Sequence, residues 1–198
     1  YGMKVLKKTK RPGLIELLKV ARTEKINSET IGFQIGPRLN AGGRMESAEI
    51  SLKLLMSKNH REAGELAMKL NQLNQDRRNS QKQAMTEIAE VDNAVMVVTG
   101  KWHEGVLGII AGRLVEKYHK PAFVLTETEE GIFKGSGRSF GNFNLADALK
   151  KCEKEIIGGG GHAAACGLKV LKEKLPEFIS AVNNYYESLG LEDQEKYL

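Results

Sequence analysis

The chain has 198 residues, of which 41% are hydrophobic and 28% charged, and this composition excludes a protein that is disordered throughout. It contains no apolar run near the roughly 20 residues of a membrane-spanning helix, and no hydrophobic leader follows its basic start, so we expect a cytoplasmic protein with no membrane partner. The net charge of +5 arises in residues 1–30, where eight Lys and Arg face three Glu, and such an excess fits either a polyanion or an ordinary solvated surface.

Short helices around an irregular segment are predicted for the first part of the chain. Pro12 suits a first helical position, and the leucine spacing that follows predicts a helix over residues 12–21. Residues 31–44 combine several glycines with a proline, which predicts irregular structure. A second helix is expected over residues 46–57. Because the chain begins with Tyr1 and not Met, we expect it to be part of a longer protein.

A long helix is predicted from Asn59 to about Glu90, a stretch with one glycine and no proline. Asn59 and Glu62 have the spacing of an N-terminal capping box. The apolar stripe of this helix fades into polar residues between Asn74 and Gln83, which is typical of a helix that connects two domains through solvent. A charged outer helix of a single domain fits the same pattern.

Residues 92–190 alternate between strand and helix patterns, which predicts an α/β domain. A β-branched run, a helical pattern and a second apolar run together indicate a βαβ unit. The predicted strands are 94–99, 121–126, 131–139 and 163–170, and the predicted helices are 106–118, 144–151 and 175–189.

Gly158–Gly161, followed by His162 and small residues, is the first of four segments that could carry chemistry. We expect this glycine run to form a loop whose N–H groups turn toward an anion and which has no side chain to obstruct a ligand. His162 could donate to a phosphate or a base. A flexible turn before a tightly packed strand of small residues explains the same sequence equally well.

Arginines mark two further segments. Arg138 follows small residues at a predicted strand end, where it could bind a phosphate with the hydroxyls of Ser136 and Ser139. Arg38 and Arg44 belong to the glycine-rich segment before the long helix, where free backbone amides would also favour a phosphate. The alternative for the Arg138 segment is a plain polar turn, and the alternative for the segment with Arg38 and Arg44 is a structural loop.

The fourth segment places His103 at the carboxyl end of a predicted strand and beside a helix N-terminus, where ligands collect in open α/β sheets. A helix cap with an exposed histidine is the alternative.

Metal chemistry has less support, because the four Asp and four His are scattered along the chain. Cys152 and Cys166 are too few for a disulfide framework or a four-thiolate zinc site, and we interpret each as a small buried residue in a reducing compartment.

Taken in this order, the four segments resemble the RecJ family of single-strand-specific 5′→3′ DNA exonucleases, within the DHH phosphoesterase superfamily. The resemblance covers roughly residues 1–190. The motifs that carry it are Ile35–Met45, His103–Arg113, Gly135–Ser139 and Gly160–Gly167.

The resemblance implies four parts: a helical and irregular remnant of a DHH domain (1–58), a connecting helix (59–91), a mixed-sheet α/β domain of the DHHA1 type that binds nucleic acid (92–190), and a tail (191–198). Single-stranded DNA and the DHH domain of the same protein are the implied partners, with single-stranded-DNA-binding protein as a further candidate. The DHH motifs that would hold Mn²⁺ or Mg²⁺ are missing from this sequence. We therefore expect no metal site and no nuclease activity in this chain alone.

The resemblance also implies which residues contact the DNA. Arginine and serine would hold a terminal 5′-phosphate, and the glycine run would let the strand approach the backbone. The candidate nucleic-acid-binding residues are Arg38, Arg44, His103, Arg113, Ser136, Arg138, Ser139, Gly160, Gly161 and His162.

Two other functions fit parts of the sequence. The DHHA1 module of an oligonucleotide or cyclic-dinucleotide phosphodiesterase, or of alanyl-tRNA synthetase, would use the same kind of domain, although Ile35–Arg38 before a long helix favours the exonuclease. An α/β interaction module with no nucleic-acid role is the alternative from a different class. It predicts no oligonucleotide binding at low salt.

Overall fold

A computed structural model describes residues 1–89, 91–128 and 131–191. The chain divides into two units, residues 1–80 and 81–198. The expected tail, residues 191–198, lies outside the described residues except for its first residue. Within the described ranges, no helix is both long and apolar enough to cross a membrane.

The first unit is built from helices. Two of the predicted helices are confirmed as α2 and α4, and the side chain of Ser47 caps α4 by accepting a hydrogen bond from the backbone N–H of Glu49. Its core consists mainly of Leu, Ile and Ala side chains, including Leu17, Leu54 and Leu70. The elements are α1 (Gly2–Leu6), α2 (Pro12–Val20), a π-helical turn (Thr30–Ile35), α3 (Gly36–Met45), α4 (Ala48–Met56) and the first part of α5 (His60–Glu87).

The irregular structure predicted for residues 31–44 is wrong, because this segment is helical. Pro37 falls in the first turn of α3, where its missing N–H costs nothing. Gly42 allows close packing, since a Cβ built there would lie 2.8 Å from Ser51 Oγ and 3.1 Å from Leu70 Cδ2. Tertiary packing therefore outweighs the low helix propensity of glycine. The segment is not an open loop with free amides.

The long predicted helix is confirmed as α5. Asn59 Oδ1 accepts from the N–H of Arg61 at 2.8 Å, but Glu62 accepts from Ser57 Oγ at 2.7 Å, a different contact from the reciprocal bond of a capping box. Trp102 Nε1 donates to Glu87 Oε2 at 2.9 Å at the end of the helix. Both residues belong to the second unit, so this bond holds the last turn of α5 within that unit.

The second unit is an α/β domain around a five-stranded mixed sheet with the order β1-β2-β3-β5-β4. The predicted βαβ unit is confirmed, because β1 and β2 are parallel and α6 connects them, while the other pairs are antiparallel. The elements are β1 (Met96–Gly100), α6 (Glu104–Tyr118), β2 (Ala122–Glu127), β3 (Ile132–Arg138), α7 (Leu145–Lys151), β4 (Gly158–His162), β5 (Ala165–Leu171), a 3-10 turn (Lys172–Lys174) and α8 (Leu175–Ser188).

Helices cover the sheet on both faces. α6 packs on one face of β2 and β3, and α7 and α8 pack on the other. The core beneath α7 and α8 contains Phe123, Phe143 and Phe178, each at most 1% exposed. The glycine-rich end of the sheet extends beyond α6.

The loop predicted for Gly158–Gly161 is wrong, because these residues form most of the edge strand β4, paired with β5. Strand pairing uses the backbone and does not require side chains. Gly161 has a φ of +155°, and a Cβ there would lie 2.3 Å from the carbonyl oxygen of Ala165. The glycine run therefore follows the sheet and does not curl into an anion-binding nest.

Candidate nucleic-acid interface

Strand β3 directs Lys134, Ser136 and Arg138 to one face of the sheet. Alternate residues of a strand point to the same face and lie about 7 Å apart. The intervening Gly137 faces the opposite side, where a Cβ would lie 2.8 Å from Phe123. The three polar side chains therefore form a row on the face that carries α6.

Arg138 is held in position by its neighbours. Its Nη1 donates to Ser136 Oγ at 3.0 Å and to the Gly137 carbonyl at 2.7 Å, while Ser136 Oγ donates to the Cys166 carbonyl at 3.2 Å. Among the residues that the structure describes, no carboxylate pairs with Arg138. A half-buried guanidinium fixed in this way loses little conformational entropy when it binds an anion.

A floor of small residues adjoins Arg138. The register places Arg138 opposite Ala165, and Ala165 opposite His162. On the same face, Ser136 of β3 lies opposite Gly167 of β5, which in turn lies opposite Gly160 of β4. At Gly160, Ala165 and Gly167, strands β4 and β5 therefore carry no side chain larger than a methyl group. Two strand spacings amount to about 10 Å. We call this surface, formed by Gly160, Ala165 and Gly167, the glycine floor.

Cations lie at the other end of the glycine floor. Lys134 and Lys169 are directly opposite each other in the β3–β5 register. Both line a depression of about 480 Å³, together with Gly158 and Gly167. Lys134 is paired with Glu104 of α6. Lys169 at this end and Arg138 at the other therefore place positive charge on both sides of the floor, which suits a polyanionic strand.

The two candidate histidines have the same hydrogen-bond geometry. His162 Nδ1 accepts from the N–H of Ala164 at 3.3 Å, and His103 Nδ1 accepts from the N–H of Gly105 at 3.1 Å. Because Nδ1 is an acceptor, the neutral ring carries its proton on Nε2. Both side chains are exposed, so each presents an Nε2–H donor to solvent. His103 is also the N-cap of α6, so its structural and its functional interpretation are compatible.

Two candidates are not directed toward Arg138. Arg113 donates to Glu116 at 2.7 Å. Gly108 is the residue of α6 that faces Arg138, and Arg113, five residues later, lies roughly 140° away from it around the helix. The hydroxyl of Ser139 donates to the carbonyl of Phe143. Ser139 therefore fastens the loop after β3.

The remaining candidates, Arg38 and Arg44, belong to the first unit. Arg38 Nε donates to Asn71 Oδ1 at 2.9 Å, and its Nη1 donates to the Gln34 carbonyl at 2.8 Å. Burial, and then the charge of Arg78, lower the pKa of Arg38. Arg44 is exposed in the last turn of α3.

Sequence reasoning did not single out Arg77 and Arg78 on α5, whose charges interact with those of Arg44 and Arg38 respectively. Burial, and then the charges of Arg78 and Arg44, lower the pKa of Arg77. The polar middle of the long helix was the available signal, but we interpreted it as a connector between domains or as the charged outer helix of a single domain.

Neither cysteine is a reactive thiolate at neutral pH. Burial raises the pKa of Cys152 and of Cys166 to about 11, and both side chains are buried as expected. Across residues 1–89, 91–128 and 131–191, no group of three or more His, Cys, Asp or Glu side chains is placed to hold a metal ion.

The match to a protein-family model and the matches to individual proteins point to the same family. The DHHA1 domain profile matches residues 91–188. The chain is 38% identical to the single-stranded-DNA-specific exonuclease RecJ of Bacillus subtilis over 97% of its own length and 26% of that protein. It is 35% identical to the Escherichia coli protein of the same name, over 85% of the chain and 32% of that protein. The chain thus spans about a quarter to a third of these relatives.

Solved structures agree with the sequence relatives. A crystal structure of RecJ from Thermus thermophilus with Mg²⁺ has a TM-score of 0.86 and 27% identity, covering 94% of this chain and 30% of that one. A crystal structure of exonuclease RecJ bound to manganese has a TM-score of 0.83 and 28% identity, covering 93% of this chain and 47% of that one.

Proposed function

The chain belongs to the RecJ family, and from this premise we propose that it is the substrate-binding part of a single-strand-specific 5′→3′ DNA exonuclease that acts in DNA repair and recombination. The observation that carries the proposal is the position of Ser136 and Arg138 beside the glycine floor. A fixed guanidinium and a hydroxyl point toward the same space, next to a surface that a nucleotide can approach closely.

The proposed ligand at this position is the 5′-terminal phosphate of the strand. A terminal phosphate carries about −1.5 to −2 charge at neutral pH, more than an internucleotide phosphodiester. Arg138 can bind two of its oxygens with its planar fork, and Ser136 can donate to a third when its hydroxyl turns from the Cys166 carbonyl to the ligand. His162 can donate from Nε2 to the same nucleotide across the glycine floor. These contacts would set the register of cleavage by fixing the end of the strand.

Hydrolysis in the complete enzyme is assigned to another part of the protein. The described residues do not fit a divalent metal site, since no three ligand side chains converge. We propose that a DHH domain of the same protein holds Mn²⁺ or Mg²⁺, which supplies the activated water, and that the single-stranded-DNA-binding protein is a further partner. This chain binds and orients the strand, with residues 1–58 as the remnant of the DHH domain, 59–91 as connector and 92–190 as the DNA-binding domain.

A small-nucleotide phosphodiesterase and a protein-interaction module find less support. The curated relatives that match most of the chain are named as single-stranded-DNA-specific exonucleases. The cations at both ends of the glycine floor also fit a strand longer than a dinucleotide.

Fluorescence anisotropy with a labelled single-stranded oligonucleotide tests the proposal, with and without a 5′-phosphate and over a salt series. We expect binding that weakens with salt and that prefers the phosphorylated strand. Arg138→Ala should remove about tenfold or more of the affinity for the phosphorylated strand. Arg61→Ala is the matched control, because Arg61 is exposed and pairs only loosely with Glu65, at 3.4 Å. Absence of binding at low salt, or a phosphate preference that survives Arg138→Ala, would contradict the proposal.

A further inference from the structure

A row with two lysines adjoins the glycine floor on the sheet face that carries α6. In the register, Lys134 of β3 lies directly opposite Lys169 of β5, and Lys169 lies opposite Gly158 of β4. Residues that face each other across neighbouring antiparallel strands have Cβ atoms about 4.5–5.5 Å apart. The two ammonium groups therefore stand on the same face, with the backbone of Gly158 beside them. We call Lys134, Lys169 and Gly158 the lysine row.

The lysine row borders the depression of about 480 Å³ described above, a volume within the range of pockets that take small organic ligands. Ile157, which is 51% exposed, also lines it. A Cβ built on Gly158 would meet nothing within 4 Å, so the space above this residue is open. The depression thus offers an apolar contact beside two cations, and it is larger than a phosphate ion alone requires.

The charges of the two lysines are balanced differently. Lys134 forms an ion pair with Glu104, in the first turn of α6. Across residues 1–89, 91–128 and 131–191, no carboxylate pairs with Lys169, whose side chain is exposed. Like charges directly opposite each other on neighbouring strands are unfavourable. The two lysines and Glu104 together leave one positive charge beside the depression, which an anionic ligand would neutralise.

The lysine row lies at a fixed distance from Arg138. Lys134 precedes Arg138 by four residues of β3, which is about 13 Å along the strand. The glycine floor occupies the sheet between these two positions. A nucleic-acid strand whose 5′-terminal phosphate lies at Arg138 can therefore cross the floor and place a later phosphate at the lysine row.

We propose that Lys134, Lys169 and Ile157 form a second nucleotide subsite, which binds a nucleotide on the 3′ side of the terminal one. This inference rests on the proposed function, since it extends the same interface. Lys169 binds an internucleotide phosphate as a point charge, and Ile157 contacts the base in the depression. The strand then runs 5′→3′ from Arg138 toward Lys134. Glu104 weakens binding here, because its carboxylate competes with the phosphate for Lys134.

The test uses the full chain and oligothymidylates with and without a 5′-phosphate, measured by anisotropy over a salt series. Lys169→Gln should lower the affinity for both strands severalfold and reduce the slope of log K against log salt by about 0.7. The preference for the 5′-phosphate should stay unchanged, because Arg138 is intact. Lys169→Arg keeps the charge and should restore both affinity and slope. Lys151→Gln is the control, since it removes the same charge from an exposed position of α7, on the opposite face of the sheet.

Two further variants separate the apolar from the electrostatic contribution. Ile157→Ser should lower the affinity without changing the slope, because an apolar contact releases no counterions. Glu104→Gln should raise the affinity for both strands severalfold, because it frees Lys134 for the phosphate. Glu153→Gln removes an exposed carboxylate just after α7, so an equal gain in this control would show a general charge effect and contradict the subsite.

The outcomes distinguish this inference from the proposed function. If Lys169→Gln and Glu104→Gln bind as the unmodified chain does, while that chain prefers the phosphorylated strand, the second subsite alone is overturned. If the unmodified chain binds both strands equally, the assignment of the terminal phosphate to Arg138 is overturned. Absence of binding by the unmodified chain at low salt would overturn both.

Discussion

The guanidinium of Arg138 lies against the backbone of Gly108 in the N-terminal half of α6. A Cβ built on Gly108 would come within 2.8 Å of Arg138 Nη2 and 3.1 Å of Ser136 Oγ. The absence of a side chain at Gly108 is what allows the arginine to occupy its position on β3. The helix and the strand therefore define the proposed phosphate site together.

Gly108→Ala tests this relationship. The methyl group would displace the flexible tip of Arg138, whereas alanine favours the helix by about 1 kcal/mol relative to glycine. We expect the unfolding free energy to change by less than about 1 kcal/mol while the preference for a 5′-phosphate falls severalfold, as measured by anisotropy. Gly112→Ala is the control, because a Cβ at Gly112 meets nothing within 4 Å. An undiminished phosphate preference in Gly108→Ala would contradict the role assigned to this contact.

Two adjacent glycines of β4 should respond differently to alanine. Gly161 has a positive φ, and a Cβ there would meet the Ala165 carbonyl at 2.3 Å, so Gly161→Ala should destabilise the second unit by about 2 kcal/mol or more. A Cβ at Gly160 meets nothing within 4 Å. Gly160→Ala should therefore leave denaturant unfolding unchanged but weaken DNA binding, because its methyl group occupies the glycine floor. Normal DNA affinity in Gly160→Ala would argue against this floor as the binding surface.

The hydrogen bond between Trp102 and Glu87 predicts that the stability of the fold depends on pH. This hydrogen bond, and then that from Gln83, lower the pKa of Glu87 below its ordinary value. A carboxyl whose pKa is lower in the folded than in the unfolded state stabilises the fold above its ordinary pKa, and this contribution is lost as pH falls through the lowered pKa. Titration by NMR should show the low pKa, and Trp102→Phe should raise it toward the ordinary carboxyl range. An ordinary pKa in the unmodified chain would refute the contact.

Both cysteines should be slow to react in the folded protein. Because their pKa is raised to about 11, almost no thiolate is present at neutral pH, and the side chains are buried. A thiol-reactive reagent should label Cys152 and Cys166 only after denaturation, as followed by mass spectrometry. Rapid labelling of either residue in the native chain would show that the packing around it is not as described.

The regular elements could be predicted from the sequence because their patterns are local. The leucine spacing after Pro12, the β-branched run before Gly100 and the cap at Asn144 each depend on neighbouring residues, and each lies where it was expected. The two glycine-rich segments could not be predicted in this way. Gly42 is helical because α3 packs closely on α4 and α5, and Gly158–Gly161 is a strand because β5 lies beside it.

The candidate site likewise depends partly on local sequence patterns, which could be predicted, and partly on tertiary contacts, which could not. Ser136 and Arg138 share a face because alternation along a strand is a local property. The contact of Arg138 with Gly108 joins residues that are about 30 positions apart in the sequence. Only the tertiary structure brings these residues together.

The most direct test of the central claim locates the strand on the chain. An isotope-labelled sample is titrated with a 5′-phosphorylated oligothymidylate, and the backbone amides and arginine Nε–H groups are followed by NMR. We predict the largest shifts at Arg138 Nε–H and at the amides of Gly160 and Gly167, with smaller shifts when the 5′-phosphate is absent. Shifts confined to α7 and α8, on the opposite face of the sheet, would contradict the account.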